Sequence, residues 1–419
     1  MIVLYGINKV TETLLQTINE EVILASTHGK EVFPGYSVLN LQALSEIDEG
    51  RIDKIIICSM YVEEISNSLL LKGFSNDKIS FFNCVSCLIE PLAPRQPPLN
   101  SNKIFYTTFD LAKSLPSFDA VNFFCSIELQ RKKRGAEHIH LLILPPISDS
   151  RHFQTNIHHD ADDTVWRTHQ IILHLARCLP SITGVSVLTY REQLLHYPLN
   201  SSNSDCYTYD LENPKNMVTF NDIREDIASG LTSKIFKAPT QATAIAKQFI
   251  ATFSQEKPLV VINLREYTQQ PFRNSDLMSL GMFVTWLEER GYYPALMRDT
   301  YNLYGELPEP LRNVTCIPVA SLDLTVRIAF YQQAFLTMSV NTGPSNAFYF
   351  VKDCNSIEFR WNDEQFFSIS KSTMEATGFP YKQQPYFKST DYNKVFWGKD
   401  SYINLKAAFQ KFESCHTHM

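Results

Sequence analysis

The stretch SVNTGPSNAFYF, residues 339–350, carries the most specific chemistry in the chain. An apolar strand runs into Asn341-Thr342-Gly343-Pro344-Ser345 and then into a helix. Gly343 permits close backbone approach, and Pro344 suits a first helical turn. Thr342 and Ser345 can donate to phosphate oxygens or simply cap the helix. A second stretch, NLREYTQQPFRNS at 263–275, follows the strand KPLVVINLRE and precedes a helix capped by Ser275 or Asp276. It places Arg265, Arg273 and Asn274 between a strand's C-terminal end and a helix N-terminus. Guanidinium forks and free N–H groups there suit a phosphate, with surface ion pairs as the competing account. Arg298 and Asp299 end another strand at the same edge. Asp323 and Arg327 are four apart in LDLTVRIAFYQQA, and an ion pair on one helix face accounts for them.

Acid–base candidates cluster in DSRHFQTNIHHDADD, 149–163. This segment follows the strand HIHLLILPP, and α/β proteins place ligand-binding loops at strand ends. Asp149, His152, His158 and Asp160 are the candidate catalytic groups, any of which could act as general base. A solvated loop with a helix cap accounts for the same residues. A metal site built from His158, His159, Asp160, Asp162 and Asp163 is the weakest reading, because adjacent histidines form no fixed i, i+4 pair. No metal and no resident cofactor are expected.

The elements that must position these groups alternate strand and helix from the first residues, IVLY then Gly6 then NKVTETLLQTI. That pattern predicts doubly wound α/β architecture. PLAPRQPP, 91–98, marks a linker. Three parts are expected: a small Rossmann-like domain (1–95), an α/β lobe (100–235) and a second α/β lobe (236–419). In the first, GINKVT has one glycine where a dinucleotide fingerprint needs three, so a domain that binds no dinucleotide is expected. RKKRG at 131–135 reads as a solvated helix end, and an anion or membrane-surface patch is the other reading.

The chain has 419 residues and a net charge of −6, which argues against a duplex nucleic-acid binder. No apolar run reaches the ~20 residues that span a bilayer, and MIVLYGINKV is no secretory signal. The expected location is the cytoplasm, with peripheral membrane association left open. Of nine cysteines, only Cys84 and Cys87 have CxxC spacing. They lie among apolar residues, and reduced, structural cysteines are expected.

The order in the last block is a strand with Arg265 and Asn274-Ser275, then WLEERGY, then a strand ending Arg-Asp-Thr, then the Asp323/Arg327 helix, then VNTGPSNAF. It resembles the donor domain of metal-independent glycosyltransferases of the B fold, above all heptosyltransferase-type enzymes, over residues ~255–350. The resemblance implies two facing Rossmann-like lobes with a nucleotide sugar and an acceptor bound between them. It implies that Thr342, Gly343, Pro344 and Ser345 hold the donor diphosphate while Arg265 or Arg273 neutralises the leaving group. Arg298, Asp323, Arg327, Asn341 and Asn274 complete the expected donor site. The family usually has Asp at the position of Asn341 and His at that of Asn346. The implied acceptor is a glycan, a lipid-linked saccharide or a protein. Two alternatives stand beside this: a sugar-nucleotide epimerase of the same architecture, and a non-catalytic scaffold that binds a glycan or a protein.

Overall fold

The computed structural model describes residues 1–92, 103–146, 161–197, 218–268, 270–385 and 392–416. The chain divides into two compact units, Met1–Asn100 and Ser101–Met419.

The first unit holds β1 (Ile2–Tyr5), β2 (Val22–Ser26), β3 (Val38–Asn40), β4 (Lys54–Ile57), β5 (Ile79–Asn83) and β6 (Leu88–Pro91). Their order is β3-β2-β1-β4-β5-β6, parallel except for the antiparallel β5–β6 pair. The winding reverses between β1 and β4, where a doubly wound sheet opens a ligand crevice. Here that crevice is filled by side chains. Asn8 caps the helix Lys9–Thr17 and donates to the Cys58 carbonyl, and Thr11 donates to the Gly6 carbonyl. Gly6 takes φ +111°, and a Cβ on it would stand 3.1 Å from the Cys58 oxygen.

The second unit holds two Rossmann-like α/β lobes that face each other. One has the parallel strands β7 (Ile104–Asp110), β8 (His138–Leu144) and β9 (Ile182–Val187). The helix Ala120–Lys133 joins the first two, and a helix over 161–178, with a π-turn at Thr168–Leu173, leads into the third. The other lobe has β10 (Leu259–Asn263), β11 (Tyr293–Met297), β12 (Thr315–Cys316), β13 (Leu336–Val340), β14 (Ser356–Arg360) and β15 (Asn393–Trp397). Their order is β12-β11-β10-β13-β14-β15, all parallel. This sheet reverses between β10 and β13. Arg265–Ser275 follows β10 and Asn341–Ser345 follows β13, so both stretches open at the switch point.

One apolar core runs through both lobes, with Phe124, Ile172 and Phe220 in the same cluster as Phe236, Tyr331 and Phe350. Ring contacts cross between them: Phe124 to Phe236 at 6.0 Å and Phe220 to Phe350 at 6.5 Å. A shared, close-packed core holds the cleft in one shape.

The closing helix Tyr402–His416 belongs to the second lobe. It packs on its own sheet, where Phe409 meets Phe283, Trp286 and Tyr292. The basic run forms the end of the helix Ala120–Lys133, with its cations paired. Arg131 and Lys132 pair with Glu128, Lys133 pairs with Asp226, and Arg134 lies over the Phe105 ring.

Phe409→Ala removes a fully buried ring from four aromatic neighbours, Phe283, Trp286, Tyr292 and Phe412. It is expected to cost about 3–5 kcal/mol, read as a lower urea midpoint.

Candidate functional site

A cavity of about 970 Å3 opens between the lobes of the second unit. Its floor is the switch point of the second lobe. Six arginines line it: Arg167, Arg265, Arg273, Arg298, Arg327 and Arg360. Their pairing decides what the cavity can hold.

Three are neutralised by carboxylates. Arg167 pairs with Asp163 at 2.8 Å, and Arg298 forks onto Glu266 with both contacts at 2.8 Å. Arg360 forks onto Glu358 at 2.6 and 3.1 Å and stacks 3.5 Å above the Phe379 ring. Arg327 is buried and does not form the expected ion pair with Asp323. It donates instead to the Ala320 carbonyl at 2.8 Å, to Asn263 Oδ1 at 3.0 Å and to the Arg298 carbonyl at 3.2 Å. Asp323 turns the other way to cap the helix Leu324–Gln333, accepting from Thr325 N at 2.7 Å.

Arg265 and Arg273 have no carboxylate within salt-bridge distance among the described residues. Arg265 is 8% exposed, and the Nε atoms of both are buried without a hydrogen-bond partner. Their remaining contacts fix their aim. Arg273 donates to Gln270 Oε1 at 2.7 Å and to the Asn341 carbonyl at 2.9 Å. Arg265 is anchored at its backbone N–H by Ser275 Oγ at 3.1 Å, and its guanidinium lies 5.4 Å from the Tyr267 ring centre. Burial pushes the Arg273 guanidinium down to about 10, and the like charges of Arg265 and Arg360 add to the push. Burial lowers Arg265 as well, against the opposing pull of Asp299. Buried cations that repel one another are costly unless an anion joins them.

The turn after β13 faces these two arginines. Ser345 does not point into the cavity. It is fully buried and donates to the Thr342 carbonyl at 2.7 Å and to Glu358. Thr342 accepts from Ser345 N at 3.3 Å, which locks the turn from within. Gly343 lines the cavity, and its N–H makes no backbone hydrogen bond among the described residues. An added Cβ at Gly343 would lie 2.9 Å from Cδ2 of Phe118 on the facing lobe, so that ring would have to shift.

Asp119 also lines the cavity, from the start of the helix Ala120–Lys133. Its Oδ1 accepts from Asn346 Nδ2 at 3.1 Å, so the carboxylate faces the turn from across the cleft. Although Asp119 is exposed at the cavity, the protein mass around it raises its carboxyl above the usual range, against the opposing pull of Ser117, Arg273, Arg360 and Asn346. Among the described residues, no group of three or more His, Cys, Asp or Glu side chains could hold a metal ion.

No family model matches the chain, and no curated protein matches it. Among solved structures, a glycosyl transferase family 9 protein from Veillonella parvula aligns at 12% identity and a TM-score of 0.38, over 74% of this chain and 89% of its own. E. coli heptosyltransferase WaaC with ADP aligns at 11% and 0.37, over 75% and 100%. A UDP-GlcNAc 2-epimerase from Neisseria meningitidis aligns at 11% and 0.25, over 98% and 90%. Likeness this faint fixes neither reaction nor substrate, and the site is read from its own residues.

Of the residues singled out in the sequence, Arg265, Arg273, Arg298, Arg327, Asn341, Thr342, Gly343 and Pro344 line the cavity. Asn274, Asp323 and Ser345 do not. Asn274 braces the loop by accepting from Tyr267 N at 3.0 Å. Asp149, His152, His158 and Asp160 lie outside the described residues. Sequence reasoning missed Asp119, Glu358 and Arg360. Asp119 had a signal: IFYTTFD alternates as a strand should, and SFDAV begins the next helix. Glu358 and Arg360 had none, because a charged pair two apart inside SIEFRW reads as an ordinary strand.

Glu358→Ala strands the buried Arg360 and releases Ser345 and Tyr349. It should destabilise the chain by roughly 3–5 kcal/mol. Asp400 offers a pH test beneath the same loop. It is 4% exposed, accepts from Asp276 N at 2.9 Å, and burial raises its carboxyl to about 6. The folded state therefore holds this proton more tightly than the unfolded state, so the contribution of Asp400 to stability falls as pH rises from about 4 to about 6. Asp400→Asn is expected to raise the melting temperature at pH 7.5 and to leave it nearly unchanged at pH 4.

Proposed function

We propose that the chain is a glycosyltransferase that moves a sugar from a nucleoside-diphosphate donor to an acceptor hydroxyl. Residues 236–419 form the donor side and 100–235 the acceptor side. The observation that carries this reading is the pair of guanidinium groups of buried Arg265 and half-buried Arg273, each with its Nε buried and unpartnered and with no salt-bridged carboxylate among the described residues, beside Gly343 at a sheet switch point. A diphosphate supplies the two negative charges and the multiple acceptor oxygens that this arrangement lacks.

In the reaction, the bond from the sugar's anomeric carbon to the diphosphate oxygen breaks, and negative charge builds on the leaving group. Arg265 and Arg273 stabilise that charge from fixed positions, so little reorganisation is needed as it develops. The acceptor oxygen forms the new bond to the anomeric carbon, and its proton goes to Asp119. A carboxylate raised above its usual range is a stronger base than a solvated one. Asn346 holds Asp119 at the turn, and Arg360, fixed by Glu358, limits how far that carboxyl can rise.

The test is a melting-temperature series with uridine, adenosine, guanosine, cytidine and thymidine diphosphates. One of them should raise the melting temperature, since a ligand that binds only the folded state stabilises it. Arg273→Met should abolish that rise while leaving the unliganded melting temperature unchanged or higher, because a repelled cation has been removed. Asp119→Asn should keep the rise and lose at least 100-fold in acceptor-dependent release of nucleoside diphosphate. Conversion of a nucleotide sugar into its epimer without acceptor would overturn the transfer reading.

A further inference from the structure

Cys84 and Cys87 do not occupy the interior position expected of structural cysteines. Both are exposed, in the turn that joins β5 to β6. By contrast, Cys58, Cys125, Cys178 and Cys354 are buried. Burial pushes the Cys58 thiol to about 11 and those of Cys125 and Cys178 higher still, which keeps them in the unreactive thiol form.

The turn is built mainly by groups other than the thiols. Asn83 Oδ1 accepts from Val85 N at 2.9 Å, and the Asn83 carbonyl accepts from Cys87 N at 2.8 Å, closing a single helical turn over 83–87. Asn83 Nδ2 and Ser86 Oγ both donate to Glu90 Oε1, at 2.9 and 2.7 Å. Cys87 takes φ +57°, the left-handed conformation that ends such a turn, although it carries a side chain. Its sulfur folds back over the turn to 3.9 Å from the Cys84 carbonyl oxygen. The two exposed thiols thus share one tight turn, with the sulfur of Cys87 lying over the backbone of Cys84.

We infer that Cys84 and Cys87 form a reversible intramolecular disulfide by exchange with a low-molecular-weight disulfide. The thiolate of one cysteine attacks a sulfur of glutathione disulfide, forms a mixed disulfide and expels one glutathione thiolate. The second cysteine, as thiolate, then attacks the protein sulfur of that mixed disulfide and expels the second glutathione. The two cysteines are oxidised by two electrons and glutathione disulfide is reduced to two glutathiones. The closed form staples the end of the hairpin at the edge strand β6.

The experiment treats the reduced, full-length chain with glutathione disulfide at neutral pH and maps non-reduced proteolytic peptides by mass spectrometry. The expected peptide contains both cysteines, has lost the mass of two hydrogen atoms and carries no glutathione. Dithiothreitol should restore it. Cys84→Ser and Cys87→Ser should each retain a stable glutathione adduct on the remaining cysteine. The inference is overturned if the wild-type peptide keeps glutathione on either residue, or if both thiols stay open to iodoacetamide under conditions that modify Cys415. Both single variants leave the turn's hydrogen bonds intact, so their folding is checked by an unchanged melting temperature.

Discussion

Glu358 is a carboxylate buried in the interior strand β14, and three groups converge on it. It forks Arg360, accepts from Tyr349 at 2.7 Å and accepts from Ser345. By holding Ser345 it sets the course of the turn after β13. By holding Arg360 it neutralises one of three neighbouring guanidinium groups. Arg265 and Arg273 have no carboxylate within salt-bridge distance among the described residues, so the pull of Asp299 on the first and of Glu358 and Asp119 on the second acts only from farther off, at a position where the sheet's winding opens a crevice. An anion in the cleft would make up that shortfall.

The two lobes share one apolar core, so this shortfall is built into a cleft that exists before any ligand arrives. Phe118 presses against Gly343 from one lobe, and Asn346 reaches Asp119 from the other. These contacts set the distance between turn and carboxylate, and a preset distance is what a group transfer requires. The first unit shows the contrast. Its crevice has the same winding, yet Asn8 and Thr11 satisfy the local backbone themselves.

Much of this was legible in the sequence. The β10 strand, the two stretches after β10 and β13, and the strand–helix alternation follow from apolar runs ending in Gly, Pro and Arg, whereas the facing of two lobes was implied by the family resemblance. Those signals are local, and local chemistry dictates them. The roles of individual side chains were less legible, because pairing depends on neighbours distant in sequence. Asp323 and Arg327 stand four apart, yet each found a better partner: a helix N-terminus for one and three backbone and side-chain oxygens for the other. Ser345 looked like a phosphate donor until Glu358, 13 residues on, claimed its hydroxyl. The cysteines misled for the same reason, since FFNCVSCLIE is apolar in composition but bends at Asn83 and turns its thiols outward.

The central claim is that the charge on Arg265 and Arg273 is completed by a diphosphate held at Gly343. A crystal structure of the chain with its best-binding nucleoside diphosphate tests it most directly. The expected result places diphosphate oxygens within hydrogen-bonding distance of the Gly343 N–H and of Nε of both arginines. A nucleotide bound elsewhere, or bound in the cavity with both Nε atoms still unpartnered, would contradict it.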